Sequence, residues 1–305
     1  MVQKLLLILC LTDDTSPALE GRGRVLTILE WLRRTALVSI ALVLACFLYG
    51  WLIEPNWIEV VPIQLTLPHL TPAFNDFKIV QISDIHVSRY MRQKRLDKIV
   101  ALIDRQQPDV VVLTGDFDSK RASFKSKILV EELSKINAKD ISLAVLGNHD
   151  HFHDKEVGVR SALVKSNVLE LNNAIYTIDR DGEKLHFAGI DDPYVGQPNL
   201  EKVLQQLPET GAAIALVHEP DFADRLIKTH KFDLQLSGHS HGGQINLPFL
   251  GAMVLPIGGQ KYVLGLSQIE DLLEYTNRGV GMTAIPIRFL CRPEITVFTL
   301  NSSAV

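Results

Sequence analysis

Lys78-Ile79-Val80-Gln81-Ile82-Ser83-Asp84-Ile85-His86 and Asp109-Val110-Val111-Val112-Leu113-Thr114-Gly115-Asp116 decide how this chain folds. Each is a short apolar, β-branched run that ends in residues able to hold a cation. Between them Leu96, Ile99, Val100 and Ile103 recur at helical spacing, and Pro108 closes that helix. Working outward, Leu129, Leu133 and Ile136 mark a second helix, and residues 141–146 a third strand. Later strands are expected at 212–217 and 234–237, with a helix over 222–229 between them. Strands alternating with helices predict an α/β architecture with largely parallel, buried strands. Further short strands are expected at 174–178, 185–190 and 294–300, and the whole is expected to form two facing sheets with helices outside them.

The N-terminal part is different. Residues 35–53 (TALVSIALVLACFLYGWLI) run 19 positions without a charge, enough to cross a bilayer as a helix. Arg33 and Arg34 precede the run, and Tyr49, Trp51 and Trp57 lie near its far end, where interfacial aromatics sit. A core helix would show a polar face. A cleaved signal would show a small-residue site soon after the run, and the apolar residues continue past Val43-Leu44-Ala45-Cys46. The expectation is an uncleaved single-pass anchor. Lys4, Arg22, Arg24, Arg33 and Arg34 precede it, and no Lys or Arg follows until Lys78. The positive-inside rule then makes residues 1–34 a cytoplasmic segment and places the main domain on the extracytoplasmic side of the cell membrane. Val25, Leu26, Ile28, Leu29 and Leu32 could form one face of a helix before the anchor. Residues 54–76, with Pro55, Pro62, Pro68 and Pro72, read as an extended linker. The main domain is expected over 77–300, with a tail at 301–305.

Composition limits the function. The 305 residues are 47% hydrophobic and 22% charged, which is globular. A net charge of -4 argues against a nucleic-acid partner held by bulk positive charge. Cys10, Cys46 and Cys291 form no C-x-x-C pair, which excludes a disulfide framework or a Cys-rich zinc site, and Cys291 is expected to be buried.

The informative polar residues stand just beyond strand ends: Asp84 and His86, Asp116, Asn148 and His149, His218, then His239 and His241. Ligands bind outside the carboxyl ends of strands in open α/β sheets, so five separate loops can converge. Asp84, Asp116 and Asn148 are each 32 residues apart, about one strand-helix unit. Carboxylates and imidazoles suit divalent zinc, manganese, iron or nickel. A shared carboxylate can bridge two such ions, which together ionise water and steady a phosphoryl group. Gly115, Gly147 and Gly238 allow close backbone approach beside these residues. His69, His151, His153, His186 and His230 lack this setting and read as ordinary, with His151 and His153 near the rim.

Taken together, Asp84-x-His86, Gly115-Asp116, Gly147-Asn148-His149-Asp150, His218 and Gly238-His239-x-His241 resemble the signature of calcineurin-like metallophosphoesterases over roughly residues 77–300. The resemblance implies a double β-sheet sandwich flanked by helices in four layers. It also implies two divalent metal ions: one held by Asp84, His86, Asp116 and His241, the other by Asp116, Asn148, His218 and His239. A water or hydroxide between them would be the nucleophile, and His149 would contact the phosphate and assist the leaving group. One departure stands out. The family pattern G-D-x-x-D meets Ser119 at its last position, and Asp118 is the candidate substitute.

Residues 218–224, 238–244 and 277–281 are similar to a membrane-anchored branch of that family. The branch includes bacterial phosphodiesterases and enzymes similar to UDP-2,3-diacylglucosamine pyrophosphatases of lipid A biosynthesis. The implied activity is hydrolysis of a phosphodiester or pyrophosphate, with a nucleotide-linked lipid as a candidate substrate. The alternatives are a broad-specificity phosphodiesterase or phosphatase, and a membrane-tethered metal-binding scaffold without catalysis. A UDP-lipid is cytoplasmic, whereas the charge rule points the domain outward, so one of the two inferences must fail. Residues 247–256 and 282–290 are expected to be core strands rather than acyl-chain contacts. Arg278, Arg288 and Arg292 are candidate phosphate contacts, weighed against surface ion pairs. The sequence leaves the oligomeric state open.

Overall fold

The first element described is a long helix, because residues 20–48 contain no proline and are mostly apolar after Arg34. The computed structural model describes residues 20–119, 126–152 and 155–303, so the readings made for Lys4, Cys10 and His153 lie outside it. Helix α1 (Glu20–Leu48) runs into a π-helical turn at Tyr49–Ile53 and a 3-10 turn at Glu54–Asn56. Thr27–Asn56 is the one stretch among the described residues long and apolar enough to cross a membrane. Leu37, Ile40, Val43 and Leu44 along it are exposed, as a lipid-facing surface requires. The chain divides at its end, with one compact unit finishing at Leu48 and the next starting at Tyr49.

The second unit begins with β1 (Glu59–Leu67), β2 (Phe77–Ile82), α2 (Gln93–Asp104), β3 (Val110–Thr114), α3 (Ser126–Leu133), β4 (Ile141–Val145), α4 (Lys155–Lys165) and β5 (Val168–Glu170). It continues with β6 (Ala174–Arg180), β7 (Glu183–Gly189), α5 (Leu200–Gln206), β8 (Ala212–Leu216), α6 (Ala223–Leu226) and β9 (Leu234–Ser237). Last come β10 (Asn246–Leu247), β11 (Gly251–Ala252), β12 (Gly265–Ile269), β13 (Leu272–Thr276) and β14 (Glu294–Ser302). Among the described residues there are two six-stranded sheets, in the orders β1-β14-β2-β3-β4-β5 and β12-β13-β9-β8-β7-β6. Strands β2 to β5 are parallel in the first, and β7, β8, β9 and β13 are parallel in the second.

The two faces of each central strand are apolar, with opposite destinations. Ile79, Val110, Val112 and Leu143 point to the same core as Leu185, Ile214, Leu216 and Leu236 of the other sheet. Val80, Ile82, Val111 and Leu113 face Leu96, Ile99, Ile103, Leu129 and Val159 of α2, α3 and α4. Ala213, Ala215 and Val217 face Val203, Phe222 and Leu226 on the other side. Period-two alternation thus builds four layers, helix on sheet on sheet on helix.

Two expectations need correcting. Residues 59–67, expected within a linker, form β1, which pairs in parallel with β14 at a sheet edge. Pro62 lacks an N–H to donate, which an edge strand tolerates, and Leu65 and Leu67 supply the buried side. Residues 247–256 and 282–290 do not become core strands. Pro248, Pro256 and Pro286 interrupt them, and Phe249, Leu250, Met253 and Val254 are exposed around the small β10–β11 hairpin.

Polar ties fix the loops at the carboxyl ends of the strands. Gln81 Nε2 donates to Ser237 O at 2.9 Å, joining β2 to β9 across the sandwich. His151, expected to be ordinary, sits between Asp191 Oδ1 at 3.2 Å and Glu156 Oε2 at 3.1 Å. Burial lowers its affinity for a proton, but Asp191 and Glu156 outweigh that and lift it to about 9. The buried Glu54 carboxylate accepts the Leu290 N–H at 2.9 Å and also the Cys291 N–H.

The His151 cation stabilises the fold fully below its unfolded pKa of about 6.5, and the contribution is lost as pH rises through the folded value of about 9. His151→Gln should therefore lower the unfolding temperature more at pH ~6 than at pH ~10.5; equal losses would contradict this. Glu54→Ala strands the buried Cys291 N–H and frees the part-buried Leu290 N–H, and should cost about 1–3 kcal/mol for the first and less for the second in denaturant titrations, at unchanged m-value.

Candidate metal centre

Each expected ligand follows a strand at a point where the backbone turns sharply. Asp84 (φ 53), His86 (φ 47), Asp116 (φ 57), His239 (φ 67) and His241 (φ 53) all adopt the left-handed conformation. Asp and His enter that region more readily than most L-residues, yet each such residue still costs about 1–3 kcal/mol. The strain falls on the residues whose side chains converge. Gly147 is needed beside them because a Cβ there would strike Asp116 Oδ1, and Gly238 because a Cβ would strike Ser83 Oγ.

The seven side chains meet where the carboxyl ends of β2, β3 and β4 face those of β8 and β9. Asp116 lies at the middle, with its Oδ2 3.4 Å from both His86 Nε2 and His218 Nε2. Its Oδ1 accepts the His149 N–H at 2.9 Å. On one side, Asp84 Oδ1 is 3.3 Å from His241 Nε2 and 3.9 Å from His86 Nε2. Asp84 Oδ2 accepts the His239 N–H at 3.1 Å, which links the two sheets. On the other side, the His218 and His239 rings stand edge to face with centroids 4.9 Å apart. Asn148, His149, His239 and His241 line a cleft of about 380 Å³ with Asp116 at its floor.

Main-chain acceptors set which ring nitrogens face inward. His86 Nδ1 donates to Asp118 O at 3.2 Å, and His218 Nδ1 to Thr114 O at 2.6 Å, so both present Nε2. His239 Nε2 donates to Ile257 O at 2.9 Å, so it presents Nδ1. Burial holds His86 and His239 at about 4 and pushes His241 well below the usual range, which keeps these imidazoles neutral with lone pairs available. Burial also raises Asp116, but His218, His149 and His86 outweigh it and keep the carboxylate ionised. Asp84 is lifted to about 6, by burial first and partly offset by His218. Burial opposes a proton on His218, yet Asp116 draws its pKa well above the usual range. A cation at Nε2 would expel that proton.

The donor set fits divalent metal ions. Asp84 Oδ1, Asn148 Oδ1 and His218 Nε2 are buried without a hydrogen-bond partner. Leaving such atoms unpaired costs about 1–3 kcal/mol each, which coordination would offset. Clusters of donor atoms close enough to share an ion include Asp84 with His86 and His241, and Asp84 with Asp116 and His218.

The structure adds residues that sequence reasoning passed over. Glu219 clusters with His218 and His239, its Oε1 4.0 Å from His239 Nδ1. Burial, with Asp192 and Asp116 beside it, raises its carboxyl well above the usual range, against the pull of His218. Its position directly after His218 was the available signal. Asp150 braces the loops, accepting from Gly147 N at 3.0 Å and Asp118 N at 3.1 Å. Asp118, the candidate substitute for the carboxylate missing at Ser119, has its Oδ2 2.7 Å from Lys155 Nζ. Lys155 also donates to Ser119 O at 2.6 Å. The His149 ring stands edge to face with His86, centroids 4.8 Å apart.

The three candidate phosphate arginines do not line the cleft. Arg278 pairs with Glu294 and Glu59, and Arg292 pairs with Glu59 and covers the Trp57 ring. Arg288 is fully buried and donates to the carbonyls of Arg278, Gly279, Gly281 and Cys291. Arg278 and Arg292 tie this loop to the distant Glu59, and Arg288 ties the loop to itself. Cys291 is buried as expected.

Residues 77–243 match the pattern of the calcineurin-like phosphoesterase family. The chain is 38% identical over 259 residues to the uncharacterized metallophosphoesterase YkuE of Bacillus subtilis (strain 168), covering 84% of this chain and 90% of that protein. It is 30% identical over 257 residues to the phosphodiesterase YaeI of Escherichia coli (strain K12), covering 81% and 90%. A transmembrane protein with metallophosphoesterase domain from Danio rerio is 27% identical over 283 residues, covering 88% of this chain and 63% of that protein. The chain thus belongs to the calcineurin-like phosphoesterase family, and it is a metal-dependent phosphoester hydrolase.

Proposed function

We propose that the protein is a single-pass membrane phosphodiesterase working with two divalent cations. One would be held by Asp84, His86, Asp116 and His241, and the other by Asp116, Asn148, His218 and His239. The observation that carries this reading is Asp116, whose single carboxylate oxygen faces an inward-pointing imidazole nitrogen on either side. When bound, the pair would supply a hydroxide nucleophile and offset charge on the phosphoryl oxygens. Asp118 O and Thr114 O hold His86 and His218 in the tautomer that leaves Nε2 free. Asp116 orders the loop of His149 through the main-chain N–H. The His149 side chain, on the wall of the cleft, would hydrogen-bond the departing oxygen.

The cleft wall favours a diester over a monoester. Among the described residues no Lys or Arg lines it, so a dianionic monoester would meet no added cation there, whereas a monoanionic diester needs none. Ile245, Met253, Val254 and Ile285 give one side of the cleft an apolar surface suited to an ester carrying hydrocarbon. The pyrophosphate of a nucleotide-linked lipid such as UDP-2,3-diacylglucosamine is the finer reading of that surface. It requires the domain to be cytoplasmic, against the placement favoured by the positive-inside rule. UMP release from UDP-diacylglucosamine and a reporter fused after Val305 decide these two points separately.

The detergent-solubilised protein should hydrolyse bis(p-nitrophenyl) phosphate with added manganese and lose that activity to a chelator. Asp116→Ala should lower turnover by more than about 100-fold, the upper range for losing a mere outer-shell partner, and should reduce bound metal measured by plasma mass spectrometry. Full metal-dependent activity in that variant would rule out the mechanism. His149→Ala should keep its metals yet lose about 10²–10⁴-fold in kcat, the range for a general acid.

A further inference from the structure

We infer that the apolar lip of the cleft is a bilayer-docking surface, with the β10–β11 hairpin seated among lipid headgroups beside the end of the membrane-spanning stretch. Residues 245–257 (INLPFLGAMVLPI) contain no charge. Phe249 is 107% exposed, Leu250 75%, Val254 78% and Ile257 71%. Exposed apolar patches of this kind mark protein or membrane contacts.

The backbone makes the choice between those partners. Asn246 N donates to Phe289 O at 2.8 Å, and Gln244 Nε2 donates to Thr283 O and Ile285 O at 3.0 and 3.1 Å. The hairpin is thereby tied to residues 283–290, which add exposed Ile285 and Leu290. That segment is tied in turn to Tyr49–Ile53, the last residues of the apolar stretch. Arg288 N donates to Gly50 O at 2.9 Å, and the Tyr49 ring stands edge-on to Phe289 at 6.1 Å. A Cβ on Gly50 would crowd Arg288 O, so the two segments touch main chain to main chain. Trp51, Leu52 and Ile53 are exposed on the same piece, and Trp57 follows. Apolar surface therefore continues from the end of the span candidate, through Leu290 and Ile285, to the hairpin. A bilayer that holds the first part is positioned to receive the rest, and Trp51 and Trp57 have the chemistry of the interface.

The docking surface is also the wall of the metal cleft. Met253, Val254 and Ile285 line it, and Ile257 O holds His239. A substrate whose phosphodiester lies at headgroup depth, with its acyl chains still in the bilayer, would reach the cleft without leaving the membrane. This last step rests on the diesterase reading above, whereas the docking itself does not.

The test uses the full chain in phosphatidylcholine–phosphatidylglycerol nanodiscs. A nitroxide is placed on Phe249→Cys in a Cys10→Ser, Cys46→Ser background, with a second label on Glu209→Cys as an exposed control. The label at 249 should be relaxed more by oxygen than by an aqueous nickel chelate, and the label at 209 the reverse. A water-exposed label at 249 would overturn the docking surface. So would its burial in a second copy of the chain, seen as spin–spin broadening at high protein-to-lipid ratio. Leu250→Asp should then lower hydrolysis of a phosphatidyl diester in the same disc by roughly tenfold, since interfacial binding scales with apolar area, with bis(p-nitrophenyl) phosphate turnover unchanged. Equal effects on both substrates would overturn the route from the membrane. Wild-type protein inactive on both, with the label at 249 in lipid, would count against the diesterase reading and leave the docking standing.

Discussion

The Asp116 carboxylate is the constraint on which the rest of the structure depends. It is buried, ionised, and 3.4 Å from an imidazole nitrogen of each sheet's contribution. An isolated buried carboxylate would take up a proton. Asp116 does not, chiefly because His218, which Asp116 draws into its protonated form, lies beside it among the other histidines. Those histidines come from loops on both halves of the sandwich. The sheets must therefore meet at their carboxyl ends, and the inter-sheet core of Ile79, Val112, Ile214 and Leu236 is what brings them there.

The strand ends carry a cost that the core must outweigh. Five residues at the site hold a left-handed backbone, and several buried polar atoms lack partners. Such strain persists only where the surroundings over-determine it. Here they do. Asp84 N donates to Gly115 O, His86 N to Asp116 O, and Gly238 N to His218 O, so each turn is locked by a neighbouring turn. The same bonds leave the side chains no freedom to relax away from one another. A site preorganised in this way keeps its donors convergent without the ion's help, which favours tight geometry over adaptability.

How much of this could be read from the residues alone depends on what each part buries. Strands β2, β3, β4, β8 and β9 were legible because both faces are covered, which writes them as unbroken apolar runs. The seven polar residues were legible as a set because each closes such a run. Strand β1 was hidden, since Pro62 argues against a strand unless the edge position is known, and that position is set by β14 more than 200 residues later. The hairpin was misread for the opposite reason. Apolar composition normally stands for burial, yet Phe249 and Leu250 are exposed. Arg278 and Arg292 form ion pairs, the reading set beside phosphate contact, and their shared partner Glu59 is near them in space alone. Glu219 carried one sequence signal, its place directly after His218, but its depth beside His218 and Asp192 is set by the fold.

The fate of those arginines bears on substrate choice. A guanidinium aimed into the cleft would favour phosphates with two free charges. Instead Arg288 donates to four main-chain carbonyls of one loop and, at 3.4 Å, meets His241 Nδ1 from behind, while Arg278 and Arg292 neutralise Glu59 and Glu294. Their work is to hold residues 278–292 together and against β1 and the Trp57 ring. That segment forms part of the cleft's apolar wall. These three guanidinium groups thus shape the wall and stay outside the cleft. What the described residues leave inside is a set of metal donors facing hydrocarbon, the arrangement on which the proposed preference for a diester rests.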